Sequence, residues 1–289
     1  MEATINRSVR GFEGNVVLVT GGASGIGRSL GAAMAARGAR VVLADRDGDA
    51  ARDAARRLAA ERHDVSAREL DVTDREAFVR VVADLVDTRG RIDYLVSSAG
   101  ISMGGPTHEL QGPHWDRVVE VNLGGVVNGV LAAYPHMVAA GRGHIVNIAS
   151  GAGLLAPPFV VPYATTKHAV VGLSLGLRPE AALHGVRVTV VCPGAVETPI
   201  LDRLPPPDLP ARPTPPVTAR SYLAALGRSP VPVDRFAELA LGGIVKGRPI
   251  VVVPARERLP WLLHRISPRL ALRVTGSLAA KLQRRLLGT

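Results

Sequence analysis

Short apolar runs alternate along most of this chain with longer stretches of helical spacing. Residues 15–20 and 40–44 are nearly continuous apolar runs, the pattern of strands buried on both faces, and 67–70, 92–96, 144–148, 186–191 and 250–253 also read as strands. Residues 25–37, 49–61, 75–87, 114–139 and 161–183 carry helical periodicity. Strands alternating with helices predict an α/β fold. Right-handed crossovers then give a Rossmann-like, doubly wound parallel sheet of about seven strands with helices on both faces. Pro179 inside the 161–183 helix is expected to kink it or end it early.

Two segments break the alternation. Residues 204–216 hold seven prolines and form neither helix nor regular strand. Because they fall between the sixth and seventh strands, they read as a substrate lid over about 200–230 rather than a linker. Residues 256–289 read as a basic helical extension beyond a single domain at 1–255, with Pro268 dividing it in two. Its apolar positions, Leu262, Ile266, Leu270, Val274, Leu278, Leu282 and Leu286, recur every fourth residue. Such a stripe fits either a membrane surface or docking onto a neighbouring subunit or the chain's own domain.

Charge sharpens this division. The 289 residues carry a net charge of +10, of which +7 lies in residues 256–289, with eight Lys/Arg and one Glu. The remaining 255 residues carry only +3, and 3% of the chain is aromatic, so nucleic-acid binding is not expected. A single cysteine, Cys192, excludes an internal disulfide and a cysteine-based metal cluster, and no metal is expected. The first 14 residues lack an apolar core, so the expected location is the cytoplasm, with peripheral membrane contact through the tail left open.

The first strand runs into Thr20-Gly21-Gly22-Ala23-Ser24-Gly25-Ile26-Gly27, a glycine-rich turn opening a helix. Such a turn lets backbone N–H groups approach a pyrophosphate. Asp45 ends the second strand, where a carboxylate holds the hydroxyls of an adenosine ribose and repels a 2′-phosphate. It reads equally as a turn or helix-cap residue. NAD is therefore preferred, with Ser24 rather than a basic residue before Gly25; Arg46 keeps NADP open. Tyr163 and Lys167 stand four apart, one helical turn on one face. Moving a tyrosine from about 10 to about 7 takes roughly 4 kcal/mol. A cation about 4 Å away at an effective dielectric of about 20 supplies that much, so the pair makes a general acid/base.

Together these features resemble the short-chain dehydrogenase/reductase family. The resemblance covers about residues 12–200 and resumes at 250–254. It rests on the glycine turn at 20–27, Asp71-Val72-Thr73-Asp74, Asn122, Ser150 thirteen residues before Tyr163, the Tyr163/Lys167 pair, and Cys192-Pro193-Gly194-Ala195-Val196-Glu197-Thr198. The resemblance implies that Tyr163 is the acid/base, that Lys167 lowers its pKa and binds the nicotinamide ribose, and that Ser150 orients the carbonyl or alcohol. It implies that Asn122 holds a water of the proton relay. Gly21, Gly25, Ile26 and Gly27 would line the pyrophosphate, Asp71 and Val72 the adenine. Ala99 and Gly100, Pro193 and Gly194, Val196 and Thr198 would line the rest of the cofactor. Ser97-Ser98 replaces the family's common Asn-Asn, and serine is expected to bond backbone there.

Met103, Leu154, Leu155, Phe159, Ile200 and Leu204 are the candidate substrate wall, joined by Val160 and Leu201. Their apolar character points to a bulky uncharged alcohol or ketone, interconverted by an oxidoreductase that the resemblance expects to be a homodimer or homotetramer. Two other readings remain at this point: a cofactor-binding interaction protein that works through its tail, and an epimerase or dehydratase on the same scaffold.

Overall fold

The computed structural model describes residues 11–287 apart from Pro205, Pro207, Asp208, Pro213, Pro215 and Pro216; the side chains of Leu286 and Leu287 also lie outside the described set. Seven strands form one parallel sheet: β1 (Val16–Thr20), β2 (Arg40–Asp45), β3 (Val65–Glu69), β4 (Tyr94–Ser97), β5 (Gly143–Ile148), β6 (Val186–Pro193) and β7 (Ile250–Val253). Their order is β3-β2-β1-β4-β5-β6-β7, and every pairing is parallel. The chain therefore winds outward both ways from β1 and β4, and a crevice opens between their carboxyl ends.

Strand alternation distributes the core. Val17 and Val19 of β1 join one apolar cluster with Leu30 and Met34 of α1 (Gly25–Ala35), Ala54 and Ala55 of α2 (Gly48–Ala60), and Phe236, Leu241 and Ile244 further along the chain. Val16 and Leu18, pointing the other way, join Phe78, Val82 and Leu85 of α3 (Arg75–Arg89). Asp47 and Asp74 cap α2 and α3, their side chains accepting from Ala50 and Ala77 N–H.

The long helix expected over 114–139 is not uniform. It comprises α4 (Gly112–Val119), a π turn at Glu120–Gly124 and α5 (Gly125–Ala139). The Gly125 N–H reaches back to Glu120 O, so the helix carries an extra residue just where Asn122 sits. Pro179 does not end α6 (Val161–Ala182) early: the helix continues through it for three residues. Pro179 has no N–H to give, and Arg178 instead anchors this end by donating to Val188 O and Gly247 O.

The described residues of the proline-rich segment do not line the crevice, although Ile200, Leu201 and Arg203 before it and Tyr222, Leu223 and Leu226 after it, all within the expected 200–230 lid, do. The segment's described residues dock on the stretch before α4. His114 Nδ1 accepts from Gln111 N–H, leaving Nε2–H to donate to Pro210 O at 3.0 Å. Arg212 donates to Gly104 O, and Thr214 donates to Glu109. Cover comes from the next helix, α7 (Ala219–Ala225), before α8 (Val233–Val245) returns to the sheet against α1.

Pro268 divides the tail as expected, into α9 (Arg258–Ile266) and α10 (Pro268–Leu287). The tail folds back on its own domain. Trp261 packs on the cluster beside β6 and β7, and Leu282 is fully buried with Tyr222 and Ala225 of α7. The fourfold stripe is thereby split: Leu278 and Leu282 turn inward, while Leu262, Ile266, Leu270 and Val274 are exposed.

Candidate active site

One cavity of about 650 Å³ runs along the carboxyl ends of the strands. One end is lined by Gly21, Ser24, Gly25, Ile26, Asp45, Arg46, Asp71 and Val72; the middle by Ala99, Gly100, Ser150, Tyr163 and Lys167; the Pro193–Thr198 loop closes one side with Pro193, Gly194, Val196 and Thr198.

Local geometry explains several of these residues. Gly21 has φ +65°, and a Cβ there would lie 2.8 Å from Ala99 N, so the turn after β1 and the loop after β4 touch backbone to backbone. The Thr20 hydroxyl accepts from Ser98 and Ala99 N–H, fixing that loop. Ser97 Oγ has no partner, so the expected serine-to-backbone bond is not made: Thr20 already supplies the acceptor. Gly27 does not line the cavity; a Cβ there would run into Gly21 O, so it serves close packing of α1 on the turn.

Asp45 combines its two readings. Its carboxylate accepts from Ala23 N–H at 3.1 Å and Asp47 N–H at 3.2 Å, which orients it, and it still faces the cavity with acceptor capacity to spare. Arg46 beside it is exposed and makes no ion pair among the described residues.

Lys167 is buried, and its Nζ donates to Ile148 O at 3.0 Å while standing 5.7 Å from the centroid of the Tyr163 ring. Burial brings the lysine down to about 8. Burial also raises the Tyr163 phenol above its usual value, opposed by the Ser150 side chain, which hydrogen-bonds it. Burial is the larger of these influences, so the phenol lies above its usual value with the Lys167 ammonium one helical turn away. Ser150 also accepts from Ala152 N–H at 3.1 Å, which sets its rotamer.

Asn122 is fully buried and does not line the cavity. Its Oδ1 accepts from Ile101 N–H at 2.8 Å, and its Nδ2 donates to Ile101 O and to Thr166 Oγ1. Both amide hydrogens are used, so the side chain clamps the Gly100–Ile101 stretch against α6.

A family model for short chain dehydrogenase matches residues 15–208. The chain belongs to the short-chain dehydrogenase family. SadH of Mycobacterium tuberculosis, an oxidoreductase by name, is 38% identical over 189 residues, covering 65% of this chain and 68% of the relative. The 3-oxoacyl-[acyl-carrier-protein] reductase FabG of Thermotoga maritima is 36% identical over 198 residues, covering 67% and 79%. A short chain dehydrogenase/reductase from Burkholderia phymatum, solved in complex with NAD, superposes with a TM-score of 0.82 at 29% identity, covering 90% of this chain and 95% of that one.

Within this short-chain dehydrogenase, the apolar half of the cavity departs from expectation. Leu155, Val160, Ile200 and Leu201 line it. Met103 and Leu154 do not; both are buried in the core. Phe159 does not either: its backbone, at φ +62°, accepts from Gly105 N–H, and its side chain packs toward α7 and α10. Leu204 points to solvent. Their places are taken by residues not singled out in the sequence. Tyr222, Leu223 and Leu226 come from α7 and its end, and Leu259, Leu263, Ala271 and Leu278 from the tail. Glu257, the only acidic residue of the tail, is buried against Gly194 and paired with Arg228.

Proposed function

We propose that this protein is an NAD-dependent oxidoreductase that interconverts a bulky, apolar secondary alcohol and the corresponding ketone. The observation that carries the proposal is the composition of this cavity: a proton-transfer group at its centre and an apolar wall built from α7 and the tail beyond it.

The residues fit a dinucleotide at the opposite end. Ser24 makes no side-chain cap to α1, so the first amides of that helix remain available to a pyrophosphate. Asp45 retains lone pairs for ribose hydroxyls, and its charge disfavours a 2′-phosphate. When bound, the nicotinamide supplies or removes the hydride.

In the reducing direction, the Tyr163 phenol gives its proton to the carbonyl oxygen. The phenol is in the protonated form that a proton donor needs, and the Ser150 hydrogen bond opposes the rise that burial causes. Ser150 hydrogen-bonds the same oxygen and holds it within reach. Lys167, cationic up to about pH 8, stabilises the phenolate left behind. In the oxidising direction the phenolate takes the alcohol proton, so that reaction gains from higher pH.

Similarity to FabG favours a second candidate substrate, a 3-oxoacyl thioester, whose ketone would need the same proton donor. A panel of hydrophobic ketones, 3-oxoacyl thioesters and small polar sugars, followed by NADH consumption, tests the proposal. Turnover confined to the polar sugars overturns it.

A further inference from the structure

The tail also presents an exposed apolar face, which meets the cavity lining at Leu259 and Val274. Six of the exposed large apolar side chains of the described chain fall within residues 259–274: Leu259, Leu262, Ile266, Leu270, Leu272 and Val274. Ile266 is 82% and Leu259 74% exposed. Arg258, Arg265, Arg269 and Arg273 are exposed among them. None of these four arginines has an ion pair with a carboxylate among the described residues; Glu257 lies buried and engaged by Arg228. An apolar strip set with uncompensated cations is the surface that lies on an anionic bilayer, with leucines in the acyl boundary and guanidinium groups at the phosphates.

We infer that α9 and α10 dock this protein on an anionic membrane surface. Charge selects this occupant over a second copy of the chain. A two-fold contact through the same face would set four arginines against four. The cavity mouth adds a directional argument. Leu259 and Val274 are exposed and also line the cavity, so they stand on its rim. If the proposed function holds, an apolar alcohol dissolved in lipid enters from the membrane without crossing water.

The test is flotation of the full chain with vesicles of phosphatidylcholine alone or mixed with phosphatidylglycerol. Wild type is expected to float with the mixed vesicles and not with pure phosphatidylcholine. Arg269→Gln with Arg273→Gln should weaken partition roughly thirty-fold, at about fivefold for each basic residue. Leu262→Ser with Ile266→Ser should also release the protein. None of these four residues lines the cavity, so turnover of a water-soluble ketone without vesicles should be unchanged. Vesicle binding needs no substrate, so it is read whether or not the substrate proposal survives. Failure to float with the mixed vesicles overturns the inference, as does binding indifferent to both double variants. A vesicle-free oligomer that Leu262→Ser with Ile266→Ser dissociates would make a second copy the occupant, and also overturns it.

Discussion

Arg228 Nη1 donates to Glu257 Oε2 at 2.7 Å, joining the segment after α7 to the start of the tail directly over Gly194. A Cβ on Gly194 would lie 2.7 Å from Glu257 Cγ, so the pair presses on the Pro193–Thr198 loop that borders the cavity. The two covering elements, α7 and the tail, are thus latched to each other and to the Pro193–Thr198 loop. Glu257→Gln is expected to cost about 2 kcal/mol, the scale of a hydrogen bond to a charged group. For a chain of this length that lowers Tm by about 3 °C. Differential scanning calorimetry reads this directly, and KM for an apolar substrate should rise more than kcat falls.

The buried ammonium of Lys167 gives stability an unusual pH dependence. Its folded pKa, about 8, lies below the usual 10.5. Below pH 8 both folded and unfolded chains carry the charge, and the folded state bears the full burial cost, about 3 kcal/mol. Between about 8 and 10.5 the folded chain releases the proton first, so the cost fades and stability rises with pH. Urea unfolding across this range should show the rise in wild type. Lys167→Met should lose both the pH-linked rise and catalytic turnover.

Asp45 is expected to set the coenzyme. A carboxylate and a phosphate charge about 4 Å apart repel by about 4 kcal/mol at an effective dielectric of about 20. Asp45→Asn removes the charge and keeps an acceptor for Ala23 N–H. It should raise kcat/KM for NADPH on the order of a hundredfold, with Arg46 free to meet the phosphate. Parallel kinetics with NADH and NADPH check this; an unchanged ratio would remove Asp45 from the ribose site.

Tyr222 is buried where α7 meets the tail, and its hydroxyl has no partner. Burial raises that phenol to about 12. Tyr222→Phe removes an unsatisfied polar atom and should stabilise the protein by about 1 kcal/mol, read as a higher urea midpoint at unchanged slope.

The sheet was legible in the sequence because parallel strands buried on both faces leave continuous apolar runs. The exception is instructive. β3 begins two residues earlier than its pattern suggests because it is an edge strand, and none of its five residues is fully buried. Tyr163 and Lys167 were legible as a pair because one helical turn separates them, and Ser150 through the family resemblance. The π turn at Asn122 was not, because one inserted residue leaves the helical period on either side intact. The apolar cavity wall was legible in part: Leu155, Val160, Ile200 and Leu201 line it, and Met103, Leu154, Phe159 and Leu204 do not. Apolar residues near a site in sequence, such as Met103 and Leu154, are as readily core as lining. The tail's stripe was visible, but periodicity does not say what covers it: Leu282 went to α7 and Ile266 to solvent.

In the proposed reaction Tyr163 carries the proton. Tyr163→Phe, assayed for NADH consumption with an accepted ketone and for NADH binding by fluorescence, tests it most directly. The expected result is a loss of at least about a hundredfold in kcat, the low end for a general acid, with NADH affinity within about twofold of wild type because the ring remains. Turnover retained in Tyr163→Phe, with binding intact, would contradict it.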